Sequence, residues 1–169
     1  MTEPDLKPPT LVLRLNPELS SALATIAGVH NRSMNGEICE ALEKWLYEHE
    51  ALMLVHDKLV SSVSGEAQKA ITASIPVFKL QQEKDSETTK ITLRYNEPLR
   101  RDLQEAASDY TAGSGEFLSQ NHFVQMILVW WLVYNYELHE YTKAIYKEFQ
   151  AKRGTRRTGQ VDWLKSLVA

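Results

Sequence analysis

The chain has 169 residues, 43% hydrophobic and 24% charged, so it can bury a core as one domain or two small ones and is neither disordered nor fibrous in composition. Its formal net charge of −3 supplies no global attraction to nucleic acid, so any such contact has to be local. The longest apolar run, Met126 to Tyr134, is too short to cross a bilayer as a helix, and a single cysteine excludes an internal disulfide framework.

Residues 1–9 carry Pro4, Pro8 and Pro9 and read as an arm; with acidic residues and no apolar segment, they are not expected to form a signal peptide. Thr10 to Leu15 alternates, with Leu11, Leu13 and Leu15 on one face and Thr10, Val12 and Arg14 on the other, which is the pattern of a half-buried strand. Asn16-Pro17-Glu18 starts a helix well, because Asn caps, Pro suits the first turn and Glu meets the positive end. Leu19, Ala22, Leu23, Ile26 and Ala27 form its apolar stripe, and residues 28–32 break it.

Ser33 opens a second helix with the stripe Met34, Ile38, Ala41, Leu42, Trp45 and Leu46, extendable through Leu52, Met53, Val55 and Leu59. Cys39 lies within it and reads as a small core residue, in keeping with a reducing cytoplasm. Residues 61–65 interrupt the pattern, 67–75 predict another helix ended by Pro76, and 81–88 read as a polar linker.

A second strand follows, with Ile91, Leu93 and Tyr95 inward and Lys90, Thr92 and Arg94 outward. Asn96-Glu97-Pro98 opens a helix striped by Leu99, Leu103, Ala106 and Ala107; the surplus before the next serine is expected to form a loop around residues 108–118. Val124, Ile127, Leu128, Trp131 and Leu132 stripe a further helix that is also apolar at Met126, Val129, Trp130 and Val133, and so wants cover on more than one side. A helical tail from Tyr136 to about Lys152 precedes a Gly/Arg-rich stretch and a short apolar segment at 163–168. Seven Lys/Arg against four Asp/Glu in residues 136–169 make this end basic, whereas residues 1–135 hold twelve against eighteen.

The chain thus repeats itself at an interval of about 80 residues: strand, helix, a Ser-x-Asn signal (Ser33-Met34-Asn35, Ser119-Gln120-Asn121), then a helix containing Trp-Leu. Both copies resemble the ribbon-helix-helix units of the Arc and MetJ repressor class, the first more closely through Leu13-Arg14-Leu15, Pro17-Glu18 and residues 31–38. The expected fold is mainly α with a short β-ribbon, as two ribbon-helix-helix units in one chain. The units cover residues 10–60 and 88–151, with a linker containing a possible helix at 61–87 and a basic tail at 152–169.

The resemblance implies double-stranded DNA as partner, with Thr10, Val12, Arg14, Lys90, Thr92 and Arg94 reading bases in the major groove. It assigns Ser33, Met34, Asn35, Ser119, Gln120 and Asn121 to phosphate contacts at helix N-termini. Lys152, Arg153, Arg156 and Arg157 are further phosphate candidates, with a solvated tail as the bland alternative. The Arc-like pattern also implies a buried Arg–Glu–Arg triad; the matching residues are Arg32, Glu37 and Ala41 in the first copy and Leu118, Phe123 and Ile127 in the second. Well-packed apolar residues can replace such a triad, so the departure leaves the fold plausible, and Arg32–Glu37 reads as structural.

The five histidines (30, 49, 56, 122, 139) have no convincing ligand spacing, and no nucleophile motif, phosphate loop or acid/base set appears, so neither metal, cofactor nor catalysis is expected. The functional expectation is a sequence-specific transcriptional repressor. Alternatives are an accessory protein for plasmid transfer or partition, an antitoxin, or a non-DNA oligomerisation scaffold. The strands can pair within one chain, giving a pseudo-dimeric reader of an asymmetric site, or with their twins in a second chain. The over-apolar last helix tips that expectation slightly towards a homodimer.

Overall fold

The computed structural model describes residues 8–81, 87–115 and 118–168, with side chains described up to residue 153. Element order is β1 (Thr10–Leu15), α1 (Pro17–Val29), α2 (Met34–Ser61), α3 (Gly65–Ser74), β2 (Thr89–Arg94), α4 (Glu97–Ser114) and α5 (Gln120–Val168). β1 and β2 pair antiparallel with each other, with Val12 opposite Thr92 at the centre.

This pairing corrects the expectation of two strand-helix-helix units. Among the described residues there are five helices and one two-stranded antiparallel sheet, to which each half of the chain contributes a single strand. The reason is backbone hydrogen bonding: a lone six-residue strand leaves its ladder groups and its apolar face unsatisfied, so neither half is complete without the other.

Two compact units result, and they interleave along the chain. The first runs up to Leu52 and resumes from Pro76 to Tyr134; the second comprises Met53–Ile75 and the chain from Asn135 onward. In the first unit, the inward strand residues Leu13, Leu15, Leu93 and Tyr95 are buried. So are the stripes of the helices: Leu19, Leu23 and Ala27 of α1, Ile38, Ala41 and Leu42 of α2, Leu99, Leu103 and Ala107 of α4, and Phe123, Val124, Ile127, Leu128, Trp131 and Leu132 of α5. In the second unit Val63, Ile71 and Tyr141 form a small buried cluster, flanked by Leu59, Val60, Ala67, Ile75, Ala144 and Ile145.

Local chemistry sets the element ends. Asn16 caps α1 by accepting the Glu18 amide, two residues on, and Asn96 caps α4 by accepting the Leu99 amide, three residues on. α1 ends where Asn31 takes a left-handed conformation (φ 54°) and the Arg32 amide returns to the Ala27 carbonyl at 2.8 Å. The surplus residues of the second copy do not form the expected loop from 108 onward: α4 continues to Ser114. Gly115 stops it at φ 71°, where a side chain would be strained. α5 is likewise one continuous helix through the stretch expected to break after Lys152.

Candidate functional site

The six outward strand residues come together on one face. Thr10 faces Arg94, Val12 faces Thr92 and Arg14 faces Lys90, and all six are exposed, Val12 at 49%. The opposite face is apolar and turned to the core. Arg14, Lys90 and Arg94 enter no ion pair among the described residues, so three cationic side chains stand free on a short ribbon.

Asn35 supplies the ribbon's firmest edge contact. Its side-chain amide donates to the Arg94 carbonyl at 2.8 Å and accepts the Arg94 amide at 2.7 Å. Both Arg94 backbone groups therefore point away from β1. Because the pattern alternates along an antiparallel ladder, all three outward pairs are of the non-hydrogen-bonded type, with Cα atoms about 4.5 Å apart and side chains crowded together. On the other edge Asn121 donates to the Val12 carbonyl at 3.5 Å, while its oxygen accepts from Gln125 at 3.0 Å. Gln125 is buried, and its own oxygen accepts the Gln81 amide at 2.8 Å.

These contacts place the start of α2 at the β2 edge and the start of α5 at the β1 edge. The two starts are built alike. Ser33 takes the Gly36 amide on its hydroxyl and the Glu37 amide on its carbonyl. Ser119 does the same for His122 and Phe123. Each cap leaves two first-turn amides over, those of Met34 and Asn35 and those of Gln120 and Asn121, at the positive end of a helix dipole. A Cβ on Gly36 would lie 3.2 Å from the Ser33 hydroxyl, so glycine there keeps the cap open. Of these six residues, Ser33 and Ser119 are caps, the side chains of Asn35 and Asn121 are committed to the ribbon edges, and the Gln120 side-chain nitrogen is buried with no hydrogen-bond partner among the described residues.

A polar cluster only partly legible in the sequence forms around Glu37. Glu37 is fully buried and accepts the Trp131 indole N–H at 2.7 Å. His30 Nδ1 lies 2.9 Å from the same oxygen, and Arg32 reaches the other at 3.4 Å. Arg32 also reaches Glu40 at 3.4 Å, so it is shared. Where the resemblance implied a second arginine, the structure has Ala41 in the core, and Trp131, from 94 residues further along the chain, provides the missing donor. The matching residues of the second copy, Phe123 and Ile127, are buried and apolar. The helical stripe assigns Trp131 to the core; its polar role carries no local signal, because the acceptor is so remote in sequence.

Cys39 lies half-buried with its sulfur 3.6 Å from the Arg94 carbonyl; burial, then Glu43, raises its thiol above the ordinary value, which leaves it protonated and poorly nucleophilic at neutral pH. Among the described residues no group of three His, Cys, Asp or Glu could hold a metal ion, and no helix is long and apolar enough to cross a membrane. Lys152 and Arg153 are exposed near the end of the described side chains, Arg153 against the Phe149 ring. The side chains of Arg156 and Arg157 lie outside the described residues. Compared with family models, curated proteins and solved structures, the chain matches none.

Proposed function

We propose that this protein is a non-enzymatic, sequence-specific DNA-binding protein that reads the major groove with its two-stranded ribbon and acts as a transcriptional repressor in a reducing cytoplasm. The observation that carries this reading is the strand register, which gathers Thr10, Val12, Arg14, Lys90, Thr92 and Arg94 into three facing pairs on one exposed face. The major groove admits a two-stranded ribbon; Arg and Lys pair with guanine O6 and N7, Thr bonds to several bases, and Val meets a thymine methyl. Arg14 directly opposite Lys90 is an unfavourable pair in the free protein, and a surface rich in acceptors and negative charge relieves it. The amides left over at the two helix starts, one at each edge of the ribbon, suit phosphates on the two banks of the groove. The sequence resemblance to the ribbon-helix-helix class supports the same assignment. One copy of the chain already presents a whole ribbon.

The test is selection of preferred duplexes from a random pool, followed by Arg14→Ala and Arg94→Ala. Each variant is expected to lose about 1–3 kcal/mol at the selected sequence, with a much smaller change on unrelated DNA. Unchanged preference in both variants and in their combination would show that the ribbon is not the reader. A scaffold that only oligomerises predicts no retention of DNA and no salt dependence.

A further inference from the structure

The exposed face of the ribbon is nearly, but not fully, two-fold symmetric. An axis through the facing pair Val12–Thr92 exchanges Arg14 with Arg94 and Thr10 with Lys90. The arginines obey that symmetry; the other two exchanges break it. One end of the face therefore holds Arg14 beside Lys90, and the other Arg94 beside Thr10. The centre is half apolar and half hydroxyl.

Resting on the DNA reading above, we infer that the recognised element is a short duplex sequence with a direction, read by a single chain in one orientation. From the first facing pair to the last is four residues, about 14 Å along the strands, or about four base-pair steps of ~3.4 Å. Within that span the arginines select guanine towards both ends. Lys90 adds a second purine-acceptor contact at the Arg14 end alone, and there the two cations are crowded as a non-hydrogen-bonded pair. Val12 selects a thymine methyl on one side of the centre, where Thr92 selects a hydrogen-bonding edge on the other. The backbone support is unequal in the same sense: Asn35 grips both the N–H and the C=O of Arg94, whereas Asn121 reaches only the Val12 carbonyl at 3.5 Å. The Arg94 end is the more firmly positioned, and the Arg14–Lys90 end the more densely charged.

The experiment compares duplexes selected by the full-length protein with those selected by V12T/K90T, which gives both strands the same outward set of Thr, Thr and Arg. The wild type is expected to select a sequence that is not self-complementary. Changing the base pair under Lys90 should cost it roughly tenfold in affinity, while the change at the mirror position costs little. V12T/K90T is expected to select a self-complementary sequence and to lose the difference between the two ends. Both substitutions are on the exposed face, and circular dichroism checks that folding is kept. T10K is an independent variant, expected to add to the second end the preference that Lys90 confers on the first. A self-complementary selection by the wild type, or an unchanged directional one by V12T/K90T, overturns the inference while leaving DNA reading intact. No selective retention by the wild type overturns the DNA reading, and this inference with it.

Discussion

Glu37 illustrates what a single side chain does here. A fully buried carboxyl group is costly unless its oxygens are occupied, and three polar partners from three places meet it: His30 after α1, Arg32 before α2 and Trp131 in α5. Trp131→Phe removes one donor and keeps most of the packing, so it is expected to lower stability by about 1–3 kcal/mol, measured by chemical denaturation. A cost below ~0.5 kcal/mol would mean that the indole is held by packing alone. Tyr47 and Asp102 are a surface counterpart. The Tyr47 hydroxyl donates to Asp102 at 2.7 Å, and this bond, followed by Arg101, holds the Asp102 carboxyl below its ordinary value. A depressed carboxyl contributes stability above its unfolded pKa and loses it as pH falls through the folded one. Tyr47→Phe is expected to raise the Asp102 pKa towards the usual range, followed by carbon-detected NMR titration; an unmoved value would assign the shift to Arg101.

For the strands, the alternation decides which face is which. Leu13 is buried and Val12, one residue earlier, is half-exposed on the outward face. Leu13→Asp places an unpaired charge in the core and is expected to unfold the protein. Val12→Asp is expected to keep the fold and to abolish DNA binding, since it sets a carboxylate against the groove. Thermal melts and binding assays on the two variants check this, and a stably folded Leu13→Asp protein would contradict the strand phase. The helices have a comparable division of labour. Their stripes bury the core, while the starts of α2 and α5 support the ribbon edges, so one element serves both packing and the site.

Across the whole molecule, charge is distributed unevenly: an acidic chain carries a basic C-terminal part. If Lys152, Arg153, Arg156 and Arg157 contact phosphates, replacing all four by Gln weakens binding to every sequence alike. It also flattens the slope of log K against log salt by up to about 0.9 per lost contact. The ratio of selected to unrelated DNA is expected to survive, because phosphate contacts position without reading bases. A titration at several salt concentrations checks this, and an unchanged slope would assign these residues to solvent.

Elements that rest on local physics are readable from the order of residues alone. The alternation of Leu11, Leu13 and Leu15 against Thr10, Val12 and Arg14 set the strand faces, the caps at Asn16 and Asn96 set helix starts, and the spacing of Leu19, Leu23 and Ala27 set a buried stripe. The six outward residues were legible for the same reason. The length of α4 was not, because helix continuation past Ser108 competes with a loop on nearly equal local terms until Gly115 ends it. Which strand pairs with which is a property of the folded chain, since β1 carries no mark naming β2 as its partner and two architectures shared the same pattern. Folding alone brought Trp131 to Glu37 and Asn35 to the Arg94 backbone, contacts 94 and 59 residues apart in the chain. Such contacts leave no periodic trace: periodicity records which face of an element is buried, while a hydrogen-bond partner depends on where the chain returns.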